Sequence, residues 1–194
     1  MTAHQAFLSD GGELGRLMRN YDWSGTPLGE PWAWPQPLRT VVRVMLNSAH
    51  PMAILWGDDL TWLYNDAFSR SIGPEQHPGS LGQPGRVVWG EIWDEVGPMV
   101  GGVMTGGPPV WHENRKIPIT RNGAREDVYW TFSYSPVDDD TAAHGVGGVL
   151  VICVDTTESV LATRREAEKR EQFAELFEQA PSFMTMLTGP DHIV

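Results

Sequence analysis

The run from Arg125 to Val137 constrains the fold more than any other part of the sequence. In it Val128, Trp130, Phe132 and Tyr134 alternate with Tyr129, Thr131, Ser133 and Ser135. Successive side chains of a strand point to opposite faces, so this run is a strand with an aromatic side and a hydroxyl-bearing side. A strand buried on one side only belongs in an antiparallel sheet. Its neighbours are short and turn-bounded. Met52–Trp56 and Leu60–Tyr64 flank Gly57-Asp58-Asp59 and read as a β-hairpin. Pro109–Ile119 is a candidate strand that ends at Arg121-Asn122-Gly123, a hairpin signal. Gly147–Val154, rich in Val and Ile, reads as a last buried strand after the acidic loop 138–144.

Between and before the strands the period changes. Leu14, Leu17 and Met18 form one face of a short helix that Tyr21-Asp22-Trp23-Ser24 breaks. Behind Pro35 and Pro37, which suit a first helical turn, Leu38, Val41, Val42, Met45 and Leu46 make one apolar stripe over about residues 36–48. Asn65 is placed to cap a helix carrying Ala67, Phe68 and Ile72, with Gly73 as its stop. Residues 74–86 read as a Gly- and Pro-rich loop. Val87–Met104 reads as helix, with Trp89, Ile92, Trp93 and Val96 on one face, although Gly97, Pro98, Gly101 and Gly102 oppose it. Glu158–Gln179 lacks Gly and Pro and predicts a helix of about 23 residues, on the order of 35 Å long. Val160, Ala167 and Ala174 repeat at seven, which fits either a thin coiled-coil seam or a solvated single helix.

Strands and helices in this order, with one antiparallel sheet, make an α+β plan. Charge then removes some functions. The 194 residues carry 14 Lys+Arg against 25 Asp+Glu, a net charge of −11, which disfavours nucleic acid and anionic membrane surfaces as partners. No apolar run approaches the roughly 20 residues of a spanning helix. The first ten residues lack the pattern of a secretory signal, and Cys153 stands alone, so the expectation is a cytoplasmic chain without disulfides. Nucleophile-elbow, phosphate-loop and zinc-protease motifs are absent, and no two of the six His sit at i, i+4. The reading is therefore not an enzyme. Nine Trp imply either a Trp-built core or an aromatic-lined pocket.

Several segments together resemble PAS domains. Tyr64-Asn65-Asp66-Ala67-Phe68 with Ile72-Gly73 is similar to the PAS segment where the second strand enters the first helix. Gly145–Val154 followed by Asp155-Thr156-Thr157 is similar to the last PAS strand and its terminal Asp-x-Thr signature. Asp22-Trp23-Ser24, Thr26-Pro27-Leu28-Gly29, Trp34-Pro35, Leu38-Arg39, Trp56-Gly57, His77-Pro78, Trp89 and Glu91-Ile92-Trp93 resemble PAS modules at the N-terminus of bacterial sensor histidine kinases.

This resemblance implies a PAS fold: a five-stranded antiparallel sheet, short helices on one face, an N-terminal helical cap and a long C-terminal linker helix. It divides the chain into a leader and cap helix (1–48), a PAS sensor domain (49–157), a signalling helix (158–180) and the start of a second, truncated PAS domain (181–194). It implies a sensory and dimerisation module of a two-component protein, homodimeric through cap and linker helices, with an output kinase domain outside this chain. The elements that enclose a PAS cavity carry Trp56, Tyr64, Trp89, Trp93, Met99, Met104, Trp111, Trp130, Phe132 and Tyr134. These residues either line a small-molecule site or fill a core. Asp155, Thr156 and Thr157 are the expected signal relay into the helix. No cofactor is assigned. A flavin–thiol adduct is disfavoured because the Asn-Cys-Arg-Phe-Leu-Gln run is missing, and a His-ligated haem because Val87–Met104 has no His. A cofactor-bearing photoreceptor or gas sensor and a ligand-free interaction module remain as alternatives.

Overall fold

A computed structural model of the chain describes residues 3–9 and 11–178. The expected second PAS fragment at 181–194 lies outside the described residues. The chain divides into two compact units, Met1–Thr157 and Glu158–Val194.

The first unit opens with a 3₁₀ turn, Ala3–Leu8, followed by helix α1 (Gly12–Asn20) and helix α2 (Gln36–Leu46). Strands β1 (Met52–Trp56) and β2 (Thr61–Tyr64) form the expected hairpin, and helix α3 (Asp66–Ile72) follows directly. Helices α4 (Gly85–Val88) and α5 (Trp93–Met104) lead to strand β3 (Val110–Lys116). Strands β4 (Ile119–Arg121), β5 (Ala124–Glu126), β6 (Tyr129–Asp138) and β7 (Val146–Asp155) complete the unit, and helix α6 (Thr157–Glu178) runs on from it. The main sheet is five-stranded and antiparallel, in the order β2-β1-β7-β6-β3. Its centre is β7, paired with β1 on one side and β6 on the other.

Two expected strands are each interrupted. Pro109–Ile119 splits into β3 and β4, and the alternating run splits into β5 and β6, leaving β4 and β5 as a separate two-stranded hairpin. Pro118 has no N–H to give a ladder, so the pairing of β3 with β6 ends near it, with Ile117 N–H still donating to the Val128 carbonyl at 2.9 Å. The hairpin turn holds Asn122 and Gly123 at φ +54° and +75°, the left-handed pair that a tight two-residue turn requires. The expected helix Val87–Met104 is likewise three pieces: α4, a 3₁₀ turn at Gly90–Ile92, and α5. α5 persists through Pro98.

The sheet's two faces serve different neighbours. On β1, Leu55 faces α5 while Trp56, next in sequence, faces the leader. Trp56 borders an open cleft with Pro27, Leu28, Pro35 and Leu38. The leader is built around two indoles. Trp23 and Trp34 meet edge to face at 5.0 Å, and each indole N–H donates to a leader carbonyl, Met18 and Gly29, at 2.8 Å. Asp66 docks α1 on α3, its carboxylate accepting from Glu13 N–H at 2.9 Å and Leu14 N–H at 2.7 Å.

Asn65 ties leader, sheet and α3 together. Its Oδ1 accepts from Phe68 N–H at 2.9 Å, as a helix cap does, and from Met52 N–H at 3.1 Å. Its Nδ2 donates to the carbonyls of Met45, Ser48 and His50 at 2.9, 3.2 and 2.8 Å.

In the second unit α6 is a single helix, and Phe173, Leu176 and Phe177 on it are exposed. Among the described residues no helix is long and apolar enough to cross a membrane.

Candidate functional site: an aromatic cavity and the junction to the last helix

Between the sheet and α3–α5 lies a partly open cavity of ≈ 60 Å³. Leu55, Trp62, Trp130, Phe132, Tyr134, Val151 and Cys153 form its sheet wall, and Phe68, Trp89, Ile92, Trp93, Val96 and Val100 its helical wall. Ile117 and Ile119, on either side of Pro118, close one end. The rings interlock: Trp62 meets Phe68 and Trp89 edge to face at 5.3 and 5.5 Å. The space is small because indoles occupy it. About one water-sized group needs 10–15 Å³ on this measure, so the cavity holds a few such groups.

Its polar groups are few. Trp62 Nε1 is buried without a hydrogen-bond partner, while Trp130 Nε1 donates to the Ile117 carbonyl at 3.1 Å. Burial pushes the Tyr134 hydroxyl well above its usual range, with the neighbouring Cys153 adding to the shift. Burial also pushes the Cys153 thiol up to about 12, and Asp155 adds to it. A thiol held neutral in this way is a weakly polar wall group and a poor nucleophile. At the rim Arg115 bridges β3 to α5. Its Nε donates to Glu95 Oε1 at 2.9 Å, its Nη1 lies 2.9 Å from His112 Nε2, and the Met99 sulfur is 3.8 Å from Nη1.

Of the ten expected cavity residues, Trp89, Trp93, Trp130, Phe132 and Tyr134 come together around this space. The other five do not line it. Trp56 points to the leader, because its neighbour Leu55 takes the cavity face. Trp111 is 64% exposed and pairs with Ser133 on the hydroxyl-bearing face, while His112 opposite Phe132 turns inward. Tyr64 is buried one layer away, its hydroxyl 3.0 Å from His77 Nδ1. Met99 sits at the rim and Met104 is half-buried at the end of α5. The residues that sequence reasoning missed are Leu55, Trp62, Phe68, Ile92, Val96, Val100, Ile117, Ile119, Val151 and Cys153. Strand parity carries the signal for Trp62 and Val151: Trp62 pairs with Leu55, and Val151 with Ala53 two residues before it.

The second part of the site is the junction where β7 ends. Asp155 Oδ1 accepts from Thr157 N–H at 2.9 Å, capping the first turn of α6. Thr156 N–H donates to the Tyr129 carbonyl at 2.8 Å, and Tyr129 N–H donates to Thr157 Oγ1 at 2.9 Å. Asp155 Oδ2 accepts from Arg121 Nη1 at 2.8 Å. Partial burial alone would raise the Asp155 carboxyl, but the Thr157 hydroxyl and amide and the Arg121 guanidinium outweigh it and hold the carboxyl below its usual range.

No family model matches the sequence, and no curated protein matches it. Among solved structures, the chain is similar to an RNA-binding light-oxygen-voltage receptor at TM-score 0.48 and 20% identity, over 75% of this chain and 39% of that one. A sensory box sensor histidine kinase from Vibrio cholerae aligns at TM-score 0.40 and 11% identity, over 60% of this chain and 86% of that one. The PAS domain of Bordetella pertussis BvgS aligns at TM-score 0.42 and 16% identity, over 69% of this chain and 97% of that one. The chain thus spans about two-fifths of the length of the receptor. An antiparallel five-stranded sheet, short helices enclosing an aromatic cavity on one face, a helical leader, and a last strand passing through Asp155-Thr156-Thr157 into a long helix give this chain a PAS-like fold.

Proposed function

We propose that this chain is the sensory and dimerisation module of a two-component signalling protein, and that it relays a change around its cavity through α6 to an output kinase domain. One observation carries the reading. β7 supplies Val151 and Cys153 to the cavity wall and, two residues further on, Asp155 to the cap of α6. A change in packing at the cavity therefore acts on the same strand whose end fixes the first turn of the helix. Two arrangements of that turn, differently favoured by an occupied and an empty cavity, constitute a two-state switch.

The chemistry of the wall defines the ligand class. The cavity suits a small, uncharged, mostly apolar molecule, with the Trp62 indole N–H available to an acceptor atom. The missing Asn-Cys-Arg-Phe-Leu-Gln run, with the single Cys153 placed on the last strand instead, opposes the flavin–thiol adduct of a photoreceptor. The exposed Phe173, Leu176 and Phe177 on α6, and Val44 on α2, support pairing of two chains through linker and cap helices. The small cavity volume favours one competing reading, a ligand-free interaction module whose core is simply filled by indoles.

Native and denaturing mass spectra of the same freshly purified sample separate these. A mass that is present natively and lost on denaturation supports the sensor, and a dimeric native ion supports the helix pairing. A bare monomer favours the interaction module and overturns the dimer. In the full-length protein, Thr157→Pro is expected to change kinase output. Unchanged output refutes the relay.

A further inference from the structure

We infer that the β4–β5 hairpin is the coupling element between the cavity and the junction, with Arg121 as its positioning residue. This rests on the sensor reading above and names the route that the signal takes.

The hairpin touches both ends of that route. Its base is in the cavity wall, where Ile117 and Ile119 are buried against the aromatic rings. Its body is tied to the 3₁₀ turn that carries the helical wall. Glu91, between Trp89 and Trp93, accepts from Thr120 N–H and Thr120 Oγ1 at 2.8 Å each and from Arg125 Nη1 at 2.9 Å. Its tip is held by Glu75, whose carboxylate accepts from Asn122 N–H at 3.1 Å and Gly123 N–H at 2.6 Å. Arg121, two residues beyond Ile119, spans the remaining distance. Its Nη1 donates to Asp155 Oδ2 and to the Ser71 carbonyl, and its Nε donates to Glu126 Oε2.

β7 offers a direct path between the same ends, but it is the central strand of the sheet, held by hydrogen bonds along both edges. The hairpin is different. It pairs only with itself, three residues to a strand, and a lone two-stranded ribbon of that length is marginal in water. Its position is set by Glu75, Glu91 and the Arg121 cluster. A shift of Trp89 or Trp93 drags Glu91, Glu91 drags Thr120, and Arg121 then pulls on the carboxylate that caps α6. The resemblance to PAS domains marks Asp155 and the threonines. It does not mark Arg121, which is visible only once the hairpin is folded.

Native-state hydrogen exchange of the whole chain tests this without an identified ligand. The cavity is perturbed from α5, away from the hairpin, by Val96→Ala to enlarge it and Val96→Ile to fill it. Each is read at the Thr157 and Tyr129 amides, with the β1 amides as the gauge of global stability. With Arg121 present, the two substitutions are expected to move junction exchange in opposite directions, by about three- to thirtyfold relative to β1. In an Arg121→Met background the response at the junction should fall to that of β1, and Arg121→Lys should restore part of it. A full response in Arg121→Met overturns the hairpin route and leaves the sensor reading standing. No response with Arg121 in place overturns both.

Discussion

Asn65→Ala is the sharpest test of how the leader is welded to the core. The side chain is 1% exposed and makes five hydrogen bonds to backbone groups of three segments. Loss of the α3 cap costs about 1 kcal/mol. Each buried backbone group left without a partner costs roughly 1–3 kcal/mol, but the Ser48 and His50 carbonyls belong to exposed or half-exposed residues that water reaches. The Met45 carbonyl keeps the Ser48 N–H at 3.2 Å, so the Met52 amide is the group left stranded and the total is about 2–4 kcal/mol. For a chain of this size that is a fall in Tm of about 4–16 °C. Urea unfolding followed by Trp fluorescence gives the value directly if the slope of the transition is unchanged. Asn65→Ser keeps an oxygen for the cap but loses the amide NH₂ that serves the three carbonyls, and should recover only about 1 kcal/mol. A loss below about 1 kcal/mol for Asn65→Ala, or full recovery with Asn65→Ser, refutes the bridging role of the three carbonyl contacts.

Other consequences follow from single contacts. At pH 8 the Cys153 thiol, pushed up to about 12, should react with iodoacetamide about three orders of magnitude more slowly than a free cysteine, and equal rates would show the cavity wall to be open. Gly148→Ala places a methyl 2.6 Å from the Trp56 ring and 2.7 Å from the Leu55 carbonyl, so calorimetry should find a loss of about 1–3 kcal/mol, and a neutral variant contradicts that contact. The Asp155 carboxyl is held low in the folded chain, so its contribution is full above the ordinary carboxylate range and fades as pH falls below that range toward the lowered folded-state value. The stability advantage of the natural chain over Asp155→Asn should therefore be full at neutral pH and close below about pH 4, and a constant gap refutes the ion pair. Trp89→Leu opens room in the cavity: it should cost roughly 2–3 kcal/mol and make the variant, unlike the natural chain, stabilised by added indole in a thermal melt.

The sequence discloses what is local. The β1–β2 hairpin, the α3 cap and the start of α6 each rest on residues within a few positions of one another, and each lies where the pattern puts it. Face assignment is harder, because the period-2 rule says that Leu55 and Trp56 part company but not which of them meets the helices. Size favoured Trp56, yet the leader's own indoles need an apolar partner on the far side, and Trp56 supplies it. At the next pair the indole again takes the face away from the cavity: Trp111 is left exposed while His112 meets Phe132. Pro118 hides the other miss: a donor missing at one residue ends a ladder and turns two long strands into two shorter ones and a hairpin. The three carbonyl partners of Asn65 and the Arg121–Asp155 pair join residues 15 to 34 positions apart, and no periodicity records such a pairing.

The choice between a Trp-built core and an aromatic pocket dissolves once the indoles are placed. Trp23, Trp34 and Trp56 serve the leader face, where their N–H groups or edges find fixed partners and leave little room. Trp62, Trp89, Trp93 and Trp130 surround the cavity, and only Trp130 among them donates to a backbone carbonyl. A ring held by a hydrogen bond resists rotation more than one held by edge-to-face packing, which is worth about 0.5–1.5 kcal/mol per pair. Trp62, Trp89 and Trp93, held by packing alone, are therefore the walls that yield before Trp130. On the sensor reading proposed above, a ligand would enlarge the cavity by displacing Trp89, on the segment that carries Glu91. On that reading filling and sensing would be two positions of the same side chain. The energy separating them is a few edge-to-face contacts, within reach of a small apolar ligand's burial.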